Sequence, residues 1–395
     1  MEEWKEYKLE ETTDFIAGYA FKSKDFGSYE NKVVKIKDIQ PPFVSIASID
    51  GVNIHEYDIS KLAKYLVYKN DFLLAMTGAT IGKIGRYIYD KPVYLNQRVL
   101  KFMPKVGFDS DFIYYSLISD SFQKFIINHI DSDSAQPNIS ANTIGKYRLY
   151  IPDITIQKKI SHVLKVLDSK IELNRRINDN LEQQAQALFD YYFSADSKYL
   201  SDSERGVLTN IAVYLNGLAM QKFPPTDSEH SLPVLKIKEL GQGKCDNNSD
   251  RCSNDIDSNY VIDNGNIIFS WSGTLMVDVW CGGKCGLNQH LFKVTPLQDY
   301  PQWFIYYWTI RHLNTFKLIA KDKAVTMGHI KRVDLEKAEV IIPNKYSLVE
   351  MNAQIEPLYQ SIINNRLQIA ELETLRDALL PKLMSGELKI NDLNC

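Results

Sequence analysis

The sequence lacks the features of a secreted or membrane protein. Its five cysteines are an odd number for 395 residues, and no basic segment near the first methionine precedes an apolar run. We therefore expect neither a disulfide framework nor a signal peptide. No stretch reaches the roughly 18 uninterrupted apolar residues that span a bilayer. These absences predict a cytoplasmic protein that has no membrane partner.

A surplus of positive charge is missing too. Lysine and arginine number 46 against 49 aspartates and glutamates, which gives a net charge of −3. A strongly basic domain is the usual electrostatic footprint of nucleic-acid binding. The total charge therefore does not point to nucleic acid. It does not exclude it either, because local clusters of cations make the phosphate contacts.

A methyltransferase motif is incomplete. Gln40-Pro41-Pro42-Phe43 differs by one residue from the Asn/Asp-Pro-Pro-Tyr/Phe motif of amino-methyltransferases. The glutamine amide would lie on a longer side chain, and no glycine-rich S-adenosylmethionine loop follows a strand. We interpret the segment as a proline-rich loop before a strand.

A nucleotide-binding loop and a metal-binding motif are missing as well. The pattern Gly78-x-x-x-Gly82-Lys83-Ile84 is one residue too short between its glycines and lacks the Ser or Thr that holds Mg²⁺. We interpret it as a turn between strands. The seven histidines form no HExxH pattern. The sequence therefore predicts no catalytic residue, no metal and no cofactor in this chain.

What the sequence does contain is an internal duplication. The tripeptide Leu-Asn-Gln at residues 95–97 recurs 192 positions later at residues 287–289. Offsets of 191, 192 or 201 positions relate further pairs of segments: residues 35–38 and 236–239, 112–115 and 304–307, 150–152 and 341–343, and 174–175 and 365–366. A long duplication predicts approximate two-fold symmetry, which suits a reader of two separated half-sites.

The duplicated parts are two globular domains. Residues 1–152 (the first domain) and residues 200–343 (the second domain) mix short apolar runs with turn signals, which predicts mixed α/β domains. In the first domain we expect strands at four places: residues 33–36, 72–76, 84–89 and 147–151. Gly78 and Gly82 flank a turn between the second and third of these strands.

Each domain is followed by a long helix, spacer helix 1 (residues 153–195) and spacer helix 2 (residues 344–385). Seam residues recur at alternating steps of four and three, which is typical of a coiled coil. The first seam is Ile160, Leu164, Leu167, Ile171, Asn174, Asn178, Leu181, Ala185 and Leu188, and the second is Met351, Ile355, Leu358, Ile362, Asn365, Ile369, Leu372, Arg376 and Leu379. We expect Asp153 and Thr155 to cap the first helix, and Pro381 to interrupt the second.

The predicted fold class is α+β, with two duplicated mixed α/β domains separated by two long helices that form a pseudo-two-fold antiparallel coiled coil. The helices should pair antiparallel because the chain must return from the second domain. Asn174 and Asn365 lie at equivalent central positions, so they should meet and fix the register. Such a pair would act as a ruler between the domains, and about 34–36 Å is one turn of DNA.

This layout resembles the specificity subunit of a type I restriction-modification system over essentially the whole chain. Each half carries the Leu-Asn-Gln element, an Ile-Ser or His-Ile-Lys segment (residues 139–140 and 329–331), a strand ending in proline, and a helix rich in Gln and Asn. Residues 76–83 look like the family's glycine-bearing hairpin, and residues 270–274 are a looser copy.

The resemblance implies two target-recognition domains, each of which reads one half of a bipartite sequence in double-stranded DNA. The helices would set the spacing and dock two methyltransferase subunits, and a restriction subunit that translocates and cleaves DNA can join the complex. The specificity subunit has no catalysis of its own, so S-adenosylmethionine, ATP and Mg²⁺ belong to the partner subunits. A self-contained DNA-modification enzyme and a protein scaffold that binds no DNA remain the alternatives.

Side chains that read DNA are expected on loops held by a rigid scaffold. Arg or Lys suits guanine, and Asn or Gln suits adenine. In the first domain the candidates are Lys22, Ser23, Lys24, Thr77, Lys83, Asn96, Gln97, Arg98, Gln136 and Asn138. In the second domain they are Gln221, Lys222, Ser270, Trp271, Ser272, Asn288, Gln289, His290, Thr326 and His329.

Each candidate has a plainer alternative, since loop lysines are often merely solvated. Asn96 and Asn288 occupy equivalent positions in both copies, which favours a structural role. Positions that differ between the copies, such as Arg98 against His290, favour a role in specificity.

Two further clusters leave their interpretation open. Four of the five cysteines lie in the second domain: Cys245, Cys252, Cys281 and Cys285. The spacing of the last two could suit a zinc ligand pair, but we favour free thiols because the matching region of the first domain has no cysteine. Spacer helix 1 ends in glutamines and aromatics that could anchor a methyltransferase subunit or pack on the second domain: Gln183, Gln184, Gln186, Phe189, Tyr191, Tyr192 and Phe193.

Overall fold

The computed structural model describes residues 4–47, 49–130, 137–228, 230–322 and 328–390. The chain divides into two compact units, Met1–Asp168 with Thr374–Cys395, and Ser169–Glu373. The first unit holds the first domain and the second unit holds the second domain. Each unit also holds a part of both spacer helices.

Three sheets organise the described residues of the first unit. The smallest pairs Lys5–Lys8 with Arg148–Ile151. A second sheet has the order Asp50–Val52, Phe26–Val34, Val93–Leu95, Leu66–Val67, and the third has the order Thr13–Ala17, Val99–Pro104, Phe72–Ala75, Ile84–Arg86, Phe43–Val44, Ile39–Gln40. Short helices connect these strands: Leu9–Thr12, Ile59–Leu62, Ser110–Leu117, Asp120–Asn128 and Ala141–Gly145.

The described residues of the second unit repeat this plan, except for one hairpin. One sheet pairs Glu204–Val207 with Glu339–Ile342. The others have the orders Arg251–Ser253, Ser231–Leu235, Cys285–Leu287, Val261–Ile262 and Ala212–Asn216, Leu291–Pro296, Ile267–Ser270, Met276–Val279. The helices of this unit, apart from the spacers, are Leu208–Ile211, Ile237–Gln242, Gln302–Asp322 and Arg332–Leu335. The predicted duplication of mixed α/β domains is therefore confirmed.

The first domain differs by an added hairpin, Ile39–Gln40 with Phe43–Val44. Pro41 and Pro42 form its turn, so the proline-rich segment is a loop before a strand, as interpreted from the sequence. Gly78 and Gly82 take the left-handed φ values of 74° and 80° on either side of the turn between Phe72–Ala75 and Ile84–Arg86. This turn is the predicted alternative to a phosphate-binding loop.

Two predicted strands extend too far. The strand through Val33 stops at Val34 because Ile36–Asp38 forms a 3-10 turn, in which the backbone N–H of Lys35 donates to Oδ2 of Asp38 at 2.8 Å. The strand Ile84–Arg86 also ends earlier than predicted, although the N–H of Tyr87 still donates to the carbonyl of Asp71 across the sheet. At Lys35 a local hydrogen bond replaces the sheet pairing that apolar patterning suggested.

The two long helices are present, spacer helix 1 at Ile154–Tyr192 and spacer helix 2 at Lys345–Met384. Pro381 does not interrupt the second helix, whose last turn continues past it to Met384. No helix within the described ranges combines the length and apolar character needed to cross a bilayer.

Within the second unit the helices run antiparallel, as predicted, but the two central asparagines have other partners than each other. Nδ2 of Asn174 donates to Oε1 of Gln368 at 2.6 Å. Nδ2 of Asn365 donates to Oδ1 of Asn178 at 2.9 Å, and Asn178 donates to the carbonyl of Ile362 at 3.1 Å. The pairing lies about one helical turn from the register that would join Asn174 to Asn365. The predicted direct contact is therefore wrong, and a role in register stays a prediction.

Asp153 caps spacer helix 1, whereas Thr155 lies inside its first turn. Oδ1 of Asp153 accepts from the N–H groups of Thr155 and Ile156 at 2.8 and 3.2 Å. We expect Asp153→Ala to lower the free energy of unfolding by about 1 kcal/mol, because two N–H groups lose their acceptor. Thr155→Ala, the matched control, should change it by less than about 0.5 kcal/mol. Urea denaturation of both variants measures this, and equal effects would contradict the assignment.

Candidate nucleic-acid interface

Three loops of the first domain meet at one place, which we call the first junction (residues 76–78, 96–98 and 137–139). The N–H of Met76 donates to the carbonyl of Arg98 at 2.9 Å, and the N–H of Ile139 donates to the carbonyl of Met76 at 3.0 Å. The N–H of Gly78 donates to the carbonyl of Pro137 at 3.1 Å. These bonds join segments that are far apart in the sequence.

The first junction brings together several of the predicted DNA-reading residues. Thr77 forms a β-bridge with Asn138. Arg98 has a left-handed φ of 67°, which non-glycine residues rarely adopt and which the surrounding bonds must hold. The side chains of Gln97, Arg98 and Asn138 are exposed at this junction. Thr77 is buried, and its hydroxyl has no hydrogen-bond partner within the described part of the chain.

A fourth loop of the first domain lies beside the Leu-Asn-Gln turn. Tyr19 bridges to Asn96, and the N–H of Gln97 donates to the carbonyl of Tyr19 at 2.8 Å. The loop continues through the exposed side chains of Lys22 and Lys24. The structure thus places two of the predicted DNA-binding lysines next to the first junction.

Tyr57 fixes the backbone of this lysine loop. Its hydroxyl accepts from the N–H of Lys22 at 3.2 Å and donates to the carboxylate of Asp25. Burial and the hydrogen bond to Asp25 raise the pKa of Tyr57, so the hydroxyl keeps its proton. Nζ of Lys24 lies 3.9 Å from the carboxylate of Glu56 in an exposed pair, which holds the lysine only weakly.

One predicted residue lies away from this cluster, and two others lie outside the described residues. Lys83 is exposed at the far end of the glycine turn, where its carbonyl accepts from the N–H of Ala75 at 3.0 Å. Gln136 of the first domain and Thr326 of the second lie outside the described residues.

The second domain builds an equivalent second junction (residues 271–273, 288–290 and 328–330). The N–H of Trp271 donates to the carbonyl of His290 at 3.4 Å, and the N–H of Ile330 donates to the carbonyl of Trp271 at 3.1 Å. The N–H of Gly273 donates to the carbonyl of Gly328 at 3.0 Å. The three bonds correspond one for one to those of the first junction.

Side chains at the second junction form a half-buried polar and aromatic cluster. Oγ of Ser272 lies 3.1 Å from Nδ1 of His290, at hydrogen-bonding distance. The ring of Trp271 lies 6.1 Å from that of His290 and 6.2 Å from that of His329, centroid to centroid. Nε2 of Gln289 lies 3.4 Å from Nε2 of His290. The structure therefore assembles five predicted residues.

One residue of this cluster was missed by sequence reasoning. Oδ1 of Asn216 accepts from Nε1 of Trp271 at 2.9 Å and so holds the indole in place. Asn216 ends the strand Ala212–Asn216, where the first domain has Ala17 at the matching sheet position. A polar residue at the end of a predicted strand, just before Gly217, is the signal that could have found it.

The lysine loop also has a counterpart in the second domain. Leu218 bridges to Asn288, and the N–H of Leu218 donates to the carbonyl of Leu287 at 3.0 Å. The exposed side chains of Gln221 and Lys222 follow in the 3-10 turn Met220–Lys222. A loop with at least one lysine therefore lies beside each Leu-Asn-Gln turn.

The asparagine of the Leu-Asn-Gln turn supports the turn itself. Asn288 is 7% exposed, and its Oδ1 accepts from the N–H of His290 at 3.3 Å. The N–H of Asn96 donates to the carbonyl of Val34, and its carbonyl accepts from the N–H of Val99. These contacts support the structural role that the shared asparagines suggested.

The cysteines do not pair as their spacing suggests. Cys281 lies near the charges of Arg366 and Asp278, and burial raises the pKa of its thiol to about 11. The thiol of Cys285 is instead hydrogen-bonded to that of Cys245, which together with burial raises the pKa of Cys285. The structure thus gives no support to zinc ligation by Cys281 and Cys285 together.

Sequence comparison assigns the family. A family model described as the type I restriction modification DNA specificity domain matches residues 1–183 and again residues 202–374. Together the two matches cover most of the chain, with one match for each domain. The chain belongs to the type I restriction-modification DNA specificity family. Its members are non-catalytic, so the specificity subunit described here is not an enzyme, and the alternative of a self-contained modification enzyme has no support.

Named relatives agree with this assignment. The type I restriction enzyme MjaIX specificity subunit of Methanocaldococcus jannaschii is 25% identical over 362 residues, which are 86% of this chain and 83% of the relative. The HindI specificity subunit of Haemophilus influenzae is 24% identical and aligns over 98% of this chain and 100% of its own length. The S subunit of the type I restriction-modification system of M. genitalium shares the fold, with a TM-score of 0.61 at 14% identity over 96% of each chain.

The aromatic end of spacer helix 1 in this specificity subunit packs mainly on the second domain. Phe189, Tyr192 and Phe193 are buried in its core, where the rings of Phe189 and Phe193 lie 5.4 and 5.1 Å from that of Trp308. Tyr191 is exposed. Of the two interpretations left open, packing is therefore confirmed for three of the four aromatics.

Two of the three glutamines of the same helix, Gln183 and Gln186, line a groove instead. The groove has a volume of about 610 Å³ and lies within the second unit. Its walls are Asp179, Glu182, Gln183, Gln186, Ala187, Asp190, Tyr306, Tyr307 and Ile310. The tyrosines and the isoleucine offer apolar surface, and three carboxylates surround it.

Proposed function

We propose that this specificity subunit reads a bipartite sequence in double-stranded DNA, one half-site at each junction. The observation that carries the proposal is the second construction of the same three-loop junction, with different polar side chains at equivalent positions. A duplicated scaffold with unequal loop residues suits two half-sites of different sequence. The antiparallel spacer helices would set the distance between the half-sites.

The chemistry of the loops supports contact with a duplex. Lys22, Lys24 and Lys222 are exposed on loops beside the junctions, where an ammonium group can neutralise a phosphate. Phosphate contacts fix the position of a protein on the duplex, and base-edge contacts specify the sequence. In this proposal the lysines contact phosphates, and the side chains at the two junctions contact the base edges.

The partners would be two methyltransferase subunits docked on the spacer helices, with a restriction subunit as a further member of the complex. The groove beside spacer helix 1 supports a docking role, because it combines the half-buried side chains of Tyr306 and Ile310 with carboxylates. S-adenosylmethionine, ATP and Mg²⁺ would be bound by those partners. Because the proposed target is cellular or incoming DNA, we place the complex in the cytoplasm.

The test is genome-wide mapping of methylated adenine in cells that express the cognate methyltransferase with and without this chain. We expect a split motif of two short half-sites that appears only with the chain. Exchanging residues 200–343 for those of a relative should change one half-site alone. If assembled, soluble protein yields no chain-dependent motif, the proposal fails.

A binding measurement separates a DNA reader from a scaffold that binds no DNA. Affinity of the assembled complex for a duplex should fall steeply as salt rises, because each neutralised phosphate releases counterions. An affinity that is independent of salt, or no binding at 50 mM salt, would favour the scaffold.

A further inference from the structure

We propose that two equivalent positions at each junction set the base identity of the two half-sites. They are Arg98 and Asn138 in the first domain, and His290 and His329 in the second. The inference rests on the proposed function and deepens it, since it names which side chains specify the sequence. It further assigns a guanine and a nearby adenine to the first half-site.

The equivalence of these positions follows from the backbone and not from sequence alignment alone. The carbonyl of Arg98 accepts from the N–H of Met76, and the carbonyl of His290 accepts from the N–H of Trp271. The next residues on the hairpins, Thr77 and Ser272, form the two antiparallel bridges, to Asn138 and His329 respectively. Each pair of reading positions is thus anchored to one hairpin.

The first junction presents hydrogen-bonding groups suited to purines. The side chains of Arg98 and Asn138 are exposed, and the left-handed φ of Arg98, 67°, directs the turn. A guanidinium donates two parallel hydrogen bonds to O6 and N7 of guanine, and a carboxamide matches N6 and N7 of adenine. Thr77 bridges to Asn138, and the N–H of the adjacent Met76 donates to the carbonyl of Arg98, so both residues flank the same stretch of the hairpin. On this proposal they contact neighbouring bases.

The second junction has neither group at these positions. His290 is half-buried and hydrogen-bonded to Ser272, and the rings of His290 and His329 flank Trp271. An imidazole cannot form the fork that arginine makes to guanine, nor the paired bonds that a carboxamide makes to adenine. The indole instead offers apolar surface, which suits a thymine methyl group. The second half-site should therefore differ from the first at the corresponding bases.

Each hairpin carries one hydroxyl beside the reading positions, on Thr77 in the first domain and on Ser272 in the second, and the two make different contacts. Ser272 holds the ring of His290, whereas the buried hydroxyl of Thr77 has no partner within the described part of the chain. The hydrogen bond to Ser272 fixes the orientation of the His290 imidazole, which limits the base edges that this ring can contact. Thr77 therefore places no such restriction on the reading side chains of the first junction.

The experiment is an exchange of the reading residues within the full chain, assembled with its methyltransferase. The variant Arg98→His/Asn138→His should lose discrimination at two neighbouring positions of the first half-site, by roughly 5- to 150-fold at each. Discrimination at the second half-site should stay as in the unaltered chain, which shows that the variant is folded. Lys124→Ala, which removes an exposed positive charge from the same domain, is the matched control and should leave both half-sites unchanged.

The outcomes separate this inference from the proposed function. If the unaltered chain directs a split motif but the exchanged variant directs the same motif, the assignment of these positions is wrong and the proposed function stands. A first half-site without a guanine or without an adenine would also overturn the assignment. If the unaltered chain directs no motif, the proposed function itself fails.

Discussion

Gly217→Ala is expected to abolish discrimination at the second half-site and to leave the first half-site readable. A Cβ on Gly217 would lie 2.3 Å from the carbonyl oxygen of Asn288 and 2.5 Å from that of Leu287. Both obstacles are backbone atoms, so no side-chain rotation relieves the overlap. The Leu-Asn-Gln turn must move, and the backbone of His290 moves with it.

The energetic cost should be large. Forcing a methyl group into a closely packed site costs about 1–3 kcal/mol when side chains can adjust, and here they cannot. We therefore expect the free energy of unfolding to fall by at least about 3 kcal/mol. Thermal unfolding measures this, and competition between duplexes with one altered half-site measures discrimination.

Gly241→Ala is the matched control in the same domain. Gly241 is exposed in the helix Ile237–Gln242, and its Cβ would contact only the flexible end of Met276 at 3.5 Å. Alanine favours a helix over glycine by roughly 0.5–1 kcal/mol, so this variant should be as stable as the unaltered chain or more so. Retention of both half-sites by Gly217→Ala would show that the turn position does not govern recognition.

Arg366→Leu should give the second large effect, a loss of about 2–4 kcal/mol in the stability of the second unit. The guanidinium donates to Oδ1 of Asp278 at 2.6 Å, to the carbonyl of Val279 at 3.2 Å and to Oε1 of Glu182 at 2.8 Å. Removal of the arginine leaves two partly buried carboxylates without their cation. The estimate lies below the range for fully buried pairs because the side chain of Arg366 is 25% exposed and that of Glu182 is 44% exposed.

This arginine also joins three elements of the second unit. Glu182 lies on spacer helix 1, Arg366 on spacer helix 2 and Asp278 on the strand Met276–Val279. Burial alone would lower the pKa of Arg366. The nearby carboxylates of Asp278 and Glu182 outweigh this effect, so the pKa is raised and the side chain stays charged. The ion pairs of Arg366 with Asp278 and Glu182 therefore persist over the whole physiological pH range.

Thermal unfolding of Arg366→Leu checks the prediction, with an expected fall in Tm of about 5–12 °C. Arg176→Leu is the control, since among the described residues Arg176 forms an ion pair only with Glu172 of its own helix, at 2.9 Å, and is 64% exposed. An exposed pair of this kind contributes about 0.3–0.5 kcal/mol. Equal losses in the two variants would contradict the role given to Arg366.

Local sequence patterns predicted much of the fold. The spacing of Leu-Asn-Gln and its companions predicted the duplication, and the heptad steps predicted both long helices. Such patterns are reliable because a helix surface is fixed by residues three and four positions apart. Strand ends were predicted less well, since the capping bond between Lys35 and Asp38 competes with sheet pairing for the same backbone.

The pairing of the helices shows where sequence symmetry stops being informative. Equivalent placement suggested that Asn174 faces Asn365, but each side chain found a partner about one turn away. A heptad seam places one apolar residue on each helical turn, so registers that differ by a turn bury similar apolar surface. The choice among them depends on the polar contacts of the whole interface, which no single helix sequence contains.

The candidate site divides in the same way. The sequence by itself determined that two domains share one plan, that their loops carry polar groups suited to DNA, and that positions such as Arg98 and His290 differ between the copies. Only the tertiary structure decided that residues near 77, 98 and 138 meet, as do those near 272, 290 and 329. It also showed that Asn216 holds Trp271. The physical reason is that sheet order, set by hydrogen bonds between strands distant in sequence, places the loops side by side.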